Sequence, residues 1–410
     1  MYDVLILGGG ASGFAAAIAS ARRIGGGRVA VIEGNDRVLK KLSLTGNGQC
    51  NLSNVNPGKY FGDEELAKEV IGKITVKDTL AFFKSIGVET VVEDNGRIYP
   101  RSRQASSVSD CLRFEAAKLG ISVFTNERIN SVEKVGDVFE VKASGNDYLA
   151  KSLVYALGGA AYPKLLTNKN NLSLLGSFGI KSAPFVPALV QLSVDADFLK
   201  PLKGIKCDVS LKILENGVKI AEGTDEMHFA GNAISGPVVF SLSPYATISL
   251  SKNRKTEGVI DFFPELSEEE LFESFLMRCQ IIPALSCDSF FSTVLHNSIG
   301  KVIVKAAKIS FDTLVCDLSQ ADIKKLAHVS KNMRFGITDS FGFNFAQSSV
   351  GGILSSELDE HLMAKKVPSL YFCGEAVNVC GECGGYNLQW AWSSGILAGR
   401  SAAHAVIRRR

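Results

Sequence analysis

Six residues near the start of the chain, Gly8-Gly9-Gly10-Ala11-Ser12-Gly13, have the spacing G-x-G-x-x-G. That spacing suits a pyrophosphate. Gly8 permits a tight turn, Gly10 has no Cβ to keep a phosphate off the backbone, and Gly13 lets a helix pack closely on a strand. The N-terminus of the helix that follows adds unpaired N–H groups and a positive dipole end, with Ala11 and Ser12 among the expected contacts. Glu33 lies 20 residues after Gly13, where one carboxylate accepts both ribose hydroxyls of an adenosine. An acid there disfavours a 2′-phosphate, so the expected ligand is FAD or NAD rather than NADP.

The stretch after Glu33 separates those two. Lys41, Thr45, Gly46, Gly48, Cys50 and Asn51 lie in a polar, glycine-bearing loop from Lys40 to Asn54. A simple NAD domain passes straight into its next helix, whereas a loop of this length can wrap the middle of an extended FAD. Taken alone, the stretch also suits a surface loop of turn-forming residues. A second glycine-rich segment lies near the end of the chain. Gly374-Glu375 comes after the apolar run Leu370 to Phe372, and Gly384-Gly385-Tyr386-Asn387-Leu388 opens a helix reaching about Val406. Such a helix start would stabilise the negative charge that a reduced flavin carries at N1 and O2. Ala156-Leu157-Gly158-Gly159 ends another apolar run. Cys380 and Cys383 form C-x-x-C, open to redox exchange or to plain packing, with no second C-x-x-C for a zinc site. The motifs offer no triad and no activated nucleophile; flavin chemistry needs neither, so the catalytic side chains are left unassigned and no metal is expected.

Elements must hold these residues in place. Tyr2 to Leu7 reads as a buried parallel strand, Phe14 to Ile24 as a helix stopped by Gly25-Gly26-Gly27, and Arg28 to Glu33 as a second strand. A helix is expected from Val108 to Lys118, capped by Ser106 or Ser107. Ile121 to Phe124 and Arg128 to Val132 read as strands, and Val138 to Lys142 with the turn Gly145-Asn146-Asp147 as a hairpin. From about Pro187 to Ala346 the texture changes. Ala188 to Val194, Cys207 to Leu214 and Val218 to Glu222 alternate as antiparallel strands do. Glu268 to Cys279, Ser289 to Ser298 and Gln320 to Ala327 look helical, the last capped at Leu318-Ser319.

Composition narrows the class. The chain has 410 residues, 46% of them hydrophobic and 21% charged, which fits a globular protein with a large core. Of its 39 glycines, 12 fall in residues 8–62 and 8 in residues 351–399, so backbone must approach something closely near both ends. A net charge of +3 gives no argument for nucleic acid, and the triplet Arg408-Arg409-Arg410 reads as a solvated tail. Nine cysteines in no regular spacing suit reduced thiols in a cytoplasmic protein. The uncharged stretch Val4 to Ala21 is preceded by Asp3 and broken by glycines, unlike a signal or membrane segment. The oligomeric state is left open.

The loop Lys41-Leu42-Ser43-Leu44-Thr45-Gly46-Asn47-Gly48-Gln49-Cys50-Asn51-Leu52-Ser53-Asn54 resembles the signature of the BaiN/YhiN-like family of NAD(P)/FAD-dependent oxidoreductases, the aminoacetone-oxidase-like flavoproteins. Gly385-Tyr386-Asn387-Leu388-Gln389-Trp390-Ala391-Trp392-Ser393-Ser394-Gly395 is close to that family's other signature. Gly96 to Val108, with Arg101 and Arg103 open to either an anionic ligand or solvent, is a further match. The chain departs from the pattern at Leu39, at Gln49 for a basic residue, and at Asn378 for an aspartate near the FAD ribityl or phosphate region. It also departs at Gly231, where the family histidine of F-T-H-x-G-I-S-G-P would fall; His228 lies three residues upstream. The loop Tyr162 to Asn171 differs as well.

The resemblance implies an α/β fold: a three-layer, glutathione-reductase-type Rossmann-like FAD-binding domain over 1–186 and 346–410. A β-barrel-like substrate domain is inserted over 187–345, with a helical lobe at about 265–330. In flavoproteins of this architecture the residue matching Ile129 meets the adenine through its backbone. The implied activity is hydride transfer through flavin N5 between NADH or NADPH and a small organic molecule, an enone or an aminoketone. Two alternatives stay open: a flavin-dependent RNA-modifying enzyme, and a non-catalytic FAD-binding redox sensor.

Overall fold

The computed structural model describes residues 1–165 and 171–408. Leu166 to Asn170, within the divergent loop, and Arg409-Arg410 of the basic tail lie outside the described residues. The chain divides into two compact units, Met1–Pro187 with Ala346–Arg410, and Ala188–Phe345.

In the first unit, β1 (Tyr2–Leu7), α1 (Ala11–Ile24) and β2 (Val29–Ile32) form the expected strand–helix–strand start. Val4 to Leu7 and all of β2 are fully buried, as strands covered on both faces must be. α2 (Glu64–Lys73) and α3 (Val76–Ser85) come next, the latter opened by a Thr75–Asp78 capping box. α4 (Ala105–Leu119) begins three residues earlier than expected. Ser106 and Ser107 are therefore inside its first turn and are not caps; Gln104 holds the extended cap position, and Ser107 Oγ donates back to its carbonyl at 2.8 Å. β3 (Ser122–Phe124), β4 (Ile129–Val135), β5 (Val138–Ala143) and β6 (Asp147–Tyr155) complete this half. β6 changes partners along its length. Tyr148 pairs antiparallel with Val141, while Leu153 pairs parallel with Leu5.

The second unit is a closed barrel. Its strands are β7 (Leu192–Asp195), β8 (Lys206–Glu215), β9 (Val218–Phe229), β10 (Ala233–Ser235), β11 (Thr256–Asp261) and β12 (Met333–Ser340), in the order β7-β10-β9-β8-β11-β12. The run Ala188 to Val194 is not one strand. Leu189 has a φ of 53°, and that left-handed residue ends one strand (Ser182–Ala188) before β7 begins. α5 (Pro237–Ser251) was not expected; it has no polar face to mark it, but Gly236 and Pro237 start it. α6 (Glu268–Ile281) and α8 (Gln320–Lys331) are opened by capping boxes at Ser267 and Ser319. No helix spans Ser289 to Ser298. Thr293, at a φ of 69°, breaks it, and α7 (Asn297–Ala306) starts instead at the far edge. Phe290 and Phe291 pack on Phe275 at 5.2 and 5.4 Å between ring centres. The hydrophobic signal in that stretch comes from core packing of a turn.

The chain then returns to the first unit with β13 (Ser348–Ile353), β14 (Leu370–Phe372) and α9 (Tyr386–Arg408). The main sheet has the order β3-β2-β1-β6-β5-β4, with β14 added to β6. α9 lies against α1 at very short range: a Cβ at Gly395 would sit 2.4 Å from Ser12 O, and one at Gly399 would sit 2.2 Å from Ala16 O. Both tryptophans of α9 are fully buried. Trp390 Nε1 donates to Gly374 O at 2.9 Å and Trp392 Nε1 to Leu52 O at 3.1 Å, so each ring ties the helix to a glycine-rich or polar loop.

Candidate functional site

The first glycine segment divides by task. A Cβ at Gly13 would lie 2.0 Å from Gly8 O, and one at Gly8, which has a φ of 105°, would lie 2.4 Å from Ala156 O. Both glycines serve the chain's own packing. A Cβ at Gly10 meets nothing within 4 Å. Gly10 caps α1 with no side-chain bond, and the first turn holds no acid, so the N–H groups from Ala11 and Ser12 onward open a cradle for an anion. Glu33 is half-buried at the end of β2. Its Oε1 accepts from Asn35 N (2.8 Å) and Nδ2 (2.7 Å), while among the described residues Oε2 accepts only from Gly9 N at 2.9 Å. A lone pair on Oε2 is left for a hydroxyl.

The polar loop is a broken turn of helix from Leu42 to Gly48. Gly46, Asn47, Gly48 and Cys50 all take left-handed backbone, and Thr45 Oγ1 donates to Leu42 O at 2.7 Å. Cys50 is fully buried, and burial pushes its thiol up to about 12. Asn51 is next in the chain. Its Oδ1 is buried and has no hydrogen-bond partner among the described residues. Gly384 and Gly385, at φ of 133° and 103°, turn into α9 directly against it: a Cβ at Gly385 would fall 2.8 Å from that oxygen. Asn54 Nδ2 donates to Gly384 O at 3.1 Å. The two glycine-rich ends of the sequence therefore meet in one place.

A polar network joins them more tightly. Lys41 Nζ lies 2.7 Å from Glu375 Oε2, across 334 residues of sequence. Ser348 Oγ donates to Glu375 Oε1 at 2.7 Å and lies 3.3 Å from Asn387 Oδ1. Asn387 in turn holds both the N–H and the carbonyl of Gly381, at 2.9 and 2.7 Å. Gly374, with a φ of 66°, presses on Ser12 at the start of α1. Gly158 and Gly159 pass Glu375 and Ser349, and Ala156 N donates to Leu7 O at 2.8 Å. Sequence reasoning missed Ser348; its signal was the Ser348-Ser349 pair just ahead of Gly351-Gly352.

Other candidates have their own places. Ile129 is buried at the start of β4. Tyr386 packs edge-on against Tyr60 at 6.3 Å, with Leu388 half-buried beyond it. Asn378 Oδ1 accepts from Gly351 N at 3.0 Å, so its amide holds a neighbouring backbone turn. Arg103 is engaged by Glu93 at 2.7 Å and stacks over Tyr99. His228 Nε2 lies 2.6 Å from Glu226 Oε1, on β9 of the barrel unit. Cys380 is buried beside Ser348, and burial pushes its thiol up to about 12, which keeps it protonated. Among the described residues no cluster of three His, Cys, Asp or Glu is placed to hold a metal, and no helix is long and apolar enough to cross a membrane.

The open space over Gly10, the free lone pair on Glu33 and the unpartnered oxygen of Asn51 fit a ligand carrying a pyrophosphate, a ribose and a further N–H or O–H donor. Known proteins agree on the class. The family model described as HI0933-like protein Rossmann domain matches residues 2–401. The 3-dehydro-bile acid delta(4,6)-reductase of Clostridium scindens is 34% identical over 407 residues, covering 98% of this chain and 99% of that protein. The ribosomal RNA dihydrouridine synthase of Escherichia coli is 27% identical over 403 residues, 96% of each chain. An Escherichia coli quinol fumarate reductase structure shares the fold at a TM-score of 0.51 and 13% identity, covering all of this chain and 71% of that one. The chain belongs to the HI0933-like family, the FAD-dependent oxidoreductases that its glycine-rich segments resemble.

Proposed function

We propose that this chain holds FAD across its two glycine-rich ends and passes hydride between NADH or NADPH and a small organic enone. The observation that carries the reading is the meeting of the two ends at Lys41–Glu375 and at Asn51–Gly385. The α1 N-terminus and Gly10 receive the pyrophosphate, and Glu33 Oε2 receives a ribose hydroxyl. Asn51 Oδ1 takes a donor from the flavin half. When bound, the isoalloxazine ring supplies hydride transfer at N5. Gly384 to Leu388 present N–H groups and the positive end of α9 toward the negative charge of the reduced state. Glu375 fixes the Lys41 ammonium, while Ser348 and Asn387 hold Glu375 and the Gly381 turn in register. The enone class comes from the bile acid reductase, 34% identical over nearly the whole chain.

A second reading, reduction of a uridine in RNA, is favoured by the relatives named ribosomal RNA dihydrouridine synthase, at 24% and 27% identity. Charge counts against it. The barrel unit carries 16 Lys and Arg against 19 Asp and Glu, a net −3, whereas RNA backbones call for a basic face.

Anaerobic mixing with NADH and with NADPH tests the donor. Rapid bleaching near roughly 450 nm, where oxidised flavin absorbs, is the expected result with at least one of them. No bleaching with either rejects pyridine nucleotide as donor. The reduced enzyme is then offered a 3-oxo-Δ4 steroid or a uridine-containing RNA. Recovery of the band with the steroid supports the enone; recovery with RNA alone establishes the second reading.

A further inference from the structure

The far end of α1 and the part of α9 beyond Gly399 carry a second cluster of charge. Arg22 and Arg23 lie in the last turn of α1, and Arg400 comes directly after Gly399, where the two helices touch. With Ala19, Phe82 and Ile396 they line a hollow of about 260 Å³. The floor is apolar, since Phe82 and Ile396 are buried. The rim holds three guanidinium groups.

These arginines differ in how they are held. Arg22 is fixed: Nη2 is 2.8 Å from Glu115 Oε1 and 3.0 Å from Ser85 Oγ, and its guanidinium lies 5.3 Å from the Phe82 ring centre. Arg23 and Arg400 form no ion pair or side-chain hydrogen bond among the described residues. The nearby carboxylates are already engaged. Glu115 also faces Lys118 at 3.5 Å, and Asp78 accepts from Thr75 N and Oγ1 in the capping box of α3. Basic residues in a last helical turn complement the helix dipole, which accounts for Arg22 and Arg23. It does not account for Arg400, well inside a 23-residue helix. Burial and the charges of Arg23 and, to a lesser degree, Arg22 hold the Arg400 guanidinium below its usual range against the opposing pull of the Asp78 carboxylate, so like charges face each other across the hollow.

Guanidinium groups gathered at the rim of an apolar floor suit an anion with several oxygens and a hydrophobic substituent. We propose that this hollow is a binding site for a phosphate monoester dianion, separate from the dinucleotide site. α1 has 14 residues, so it sets the hollow ~20 Å from the Gly10 cradle. A bound dianion would tie Arg23 of α1 to Arg400 of α9. The inference stands whether or not the enone reading holds.

The test uses FAD-saturated protein, so that the pyrophosphate cradle is filled. Its melting temperature is measured against inorganic phosphate, phenyl phosphate and chloride at constant ionic strength. A saturable rise is expected with the phosphates and none with chloride. A stronger response to phenyl phosphate assigns an organic monoester; an equal response assigns free phosphate to the same site. Arg23→Gln and Arg400→Gln should each weaken phosphate binding about tenfold, and Arg400→Lys less. Arg23 and Arg400 are both exposed, so neither variant removes a core contact, and Arg23, near the end of α1, gives an independent readout. Unchanged binding in Arg23→Gln, or an equal rise with chloride, overturns the proposal. So does an RNA oligonucleotide that binds while neither phosphate does.

Discussion

A methyl group added to Gly10 and one added to Gly13 meet opposite surroundings: open space at the first, a backbone oxygen at 2.0 Å at the second. Gly13→Ala should therefore cost at least about 3 kcal/mol of stability, read as a lower melting temperature of the apoprotein. Gly10→Ala should stay within about 1 kcal/mol of wild type yet weaken FAD at least tenfold. Equal stability of the two variants would contradict the packing assigned to Gly13. Thiol chemistry gives a second prediction. Burial pushes Cys50, Cys373 and Cys380 each up to about 12 from an ordinary 9. In the unfolded chain these thiols ionise above pH 9, whereas in the fold they stay protonated. Their contribution is thus fully present below pH 9 and is lost as pH rises toward 12. Urea midpoints should be flat from pH 7 to 9 and then decline; a midpoint that rises above pH 9 would contradict this. Gly10, Glu33 and Asn51 were readable in the sequence because their motifs have fixed spacing. Ser348 was not, since a serine gains its role only from where the fold returns it.

At the scale of elements, α1 and α9 act as a pair. Their contact depends on Gly395 and Gly399, at which any side chain would strike the α1 backbone. Gly399→Leu should destabilise the first unit by about 3 kcal/mol or more, measured by denaturant melts. A change below about 0.5 kcal/mol would mean that the helices pack elsewhere. The sequence showed both helices, because one opens within a G-x-G-x-x-G and the other within a long signature. It hid α5, whose apolar residues surround the helix and give no period. It also suggested a helix at Ser289 to Ser298, where Phe290 and Phe291 are core residues of a turn. Hydrophobic residues show that a segment is buried, but only a clear period shows in what form.

For the whole molecule, the chain leaves the first unit after Ser182–Ala188 and re-enters it at β13, and these two strands pair with each other. Leu354 N donates to Lys181 O, and Gly351 approaches Pro184 O, so they run in opposite directions and bring the exit and return close together. Replacing 190–344 with a short glycine-rich linker should leave a folded unit that still takes up FAD and does not reduce an enone. Loss of FAD uptake by a folded, soluble product would show that the barrel unit is needed for cofactor binding. The most direct test of one site built from both ends of the chain is the flavin content of the purified protein, with the flavin released by heat and identified. One FAD per chain is the predicted result. A colourless protein that takes up no added FAD would contradict it.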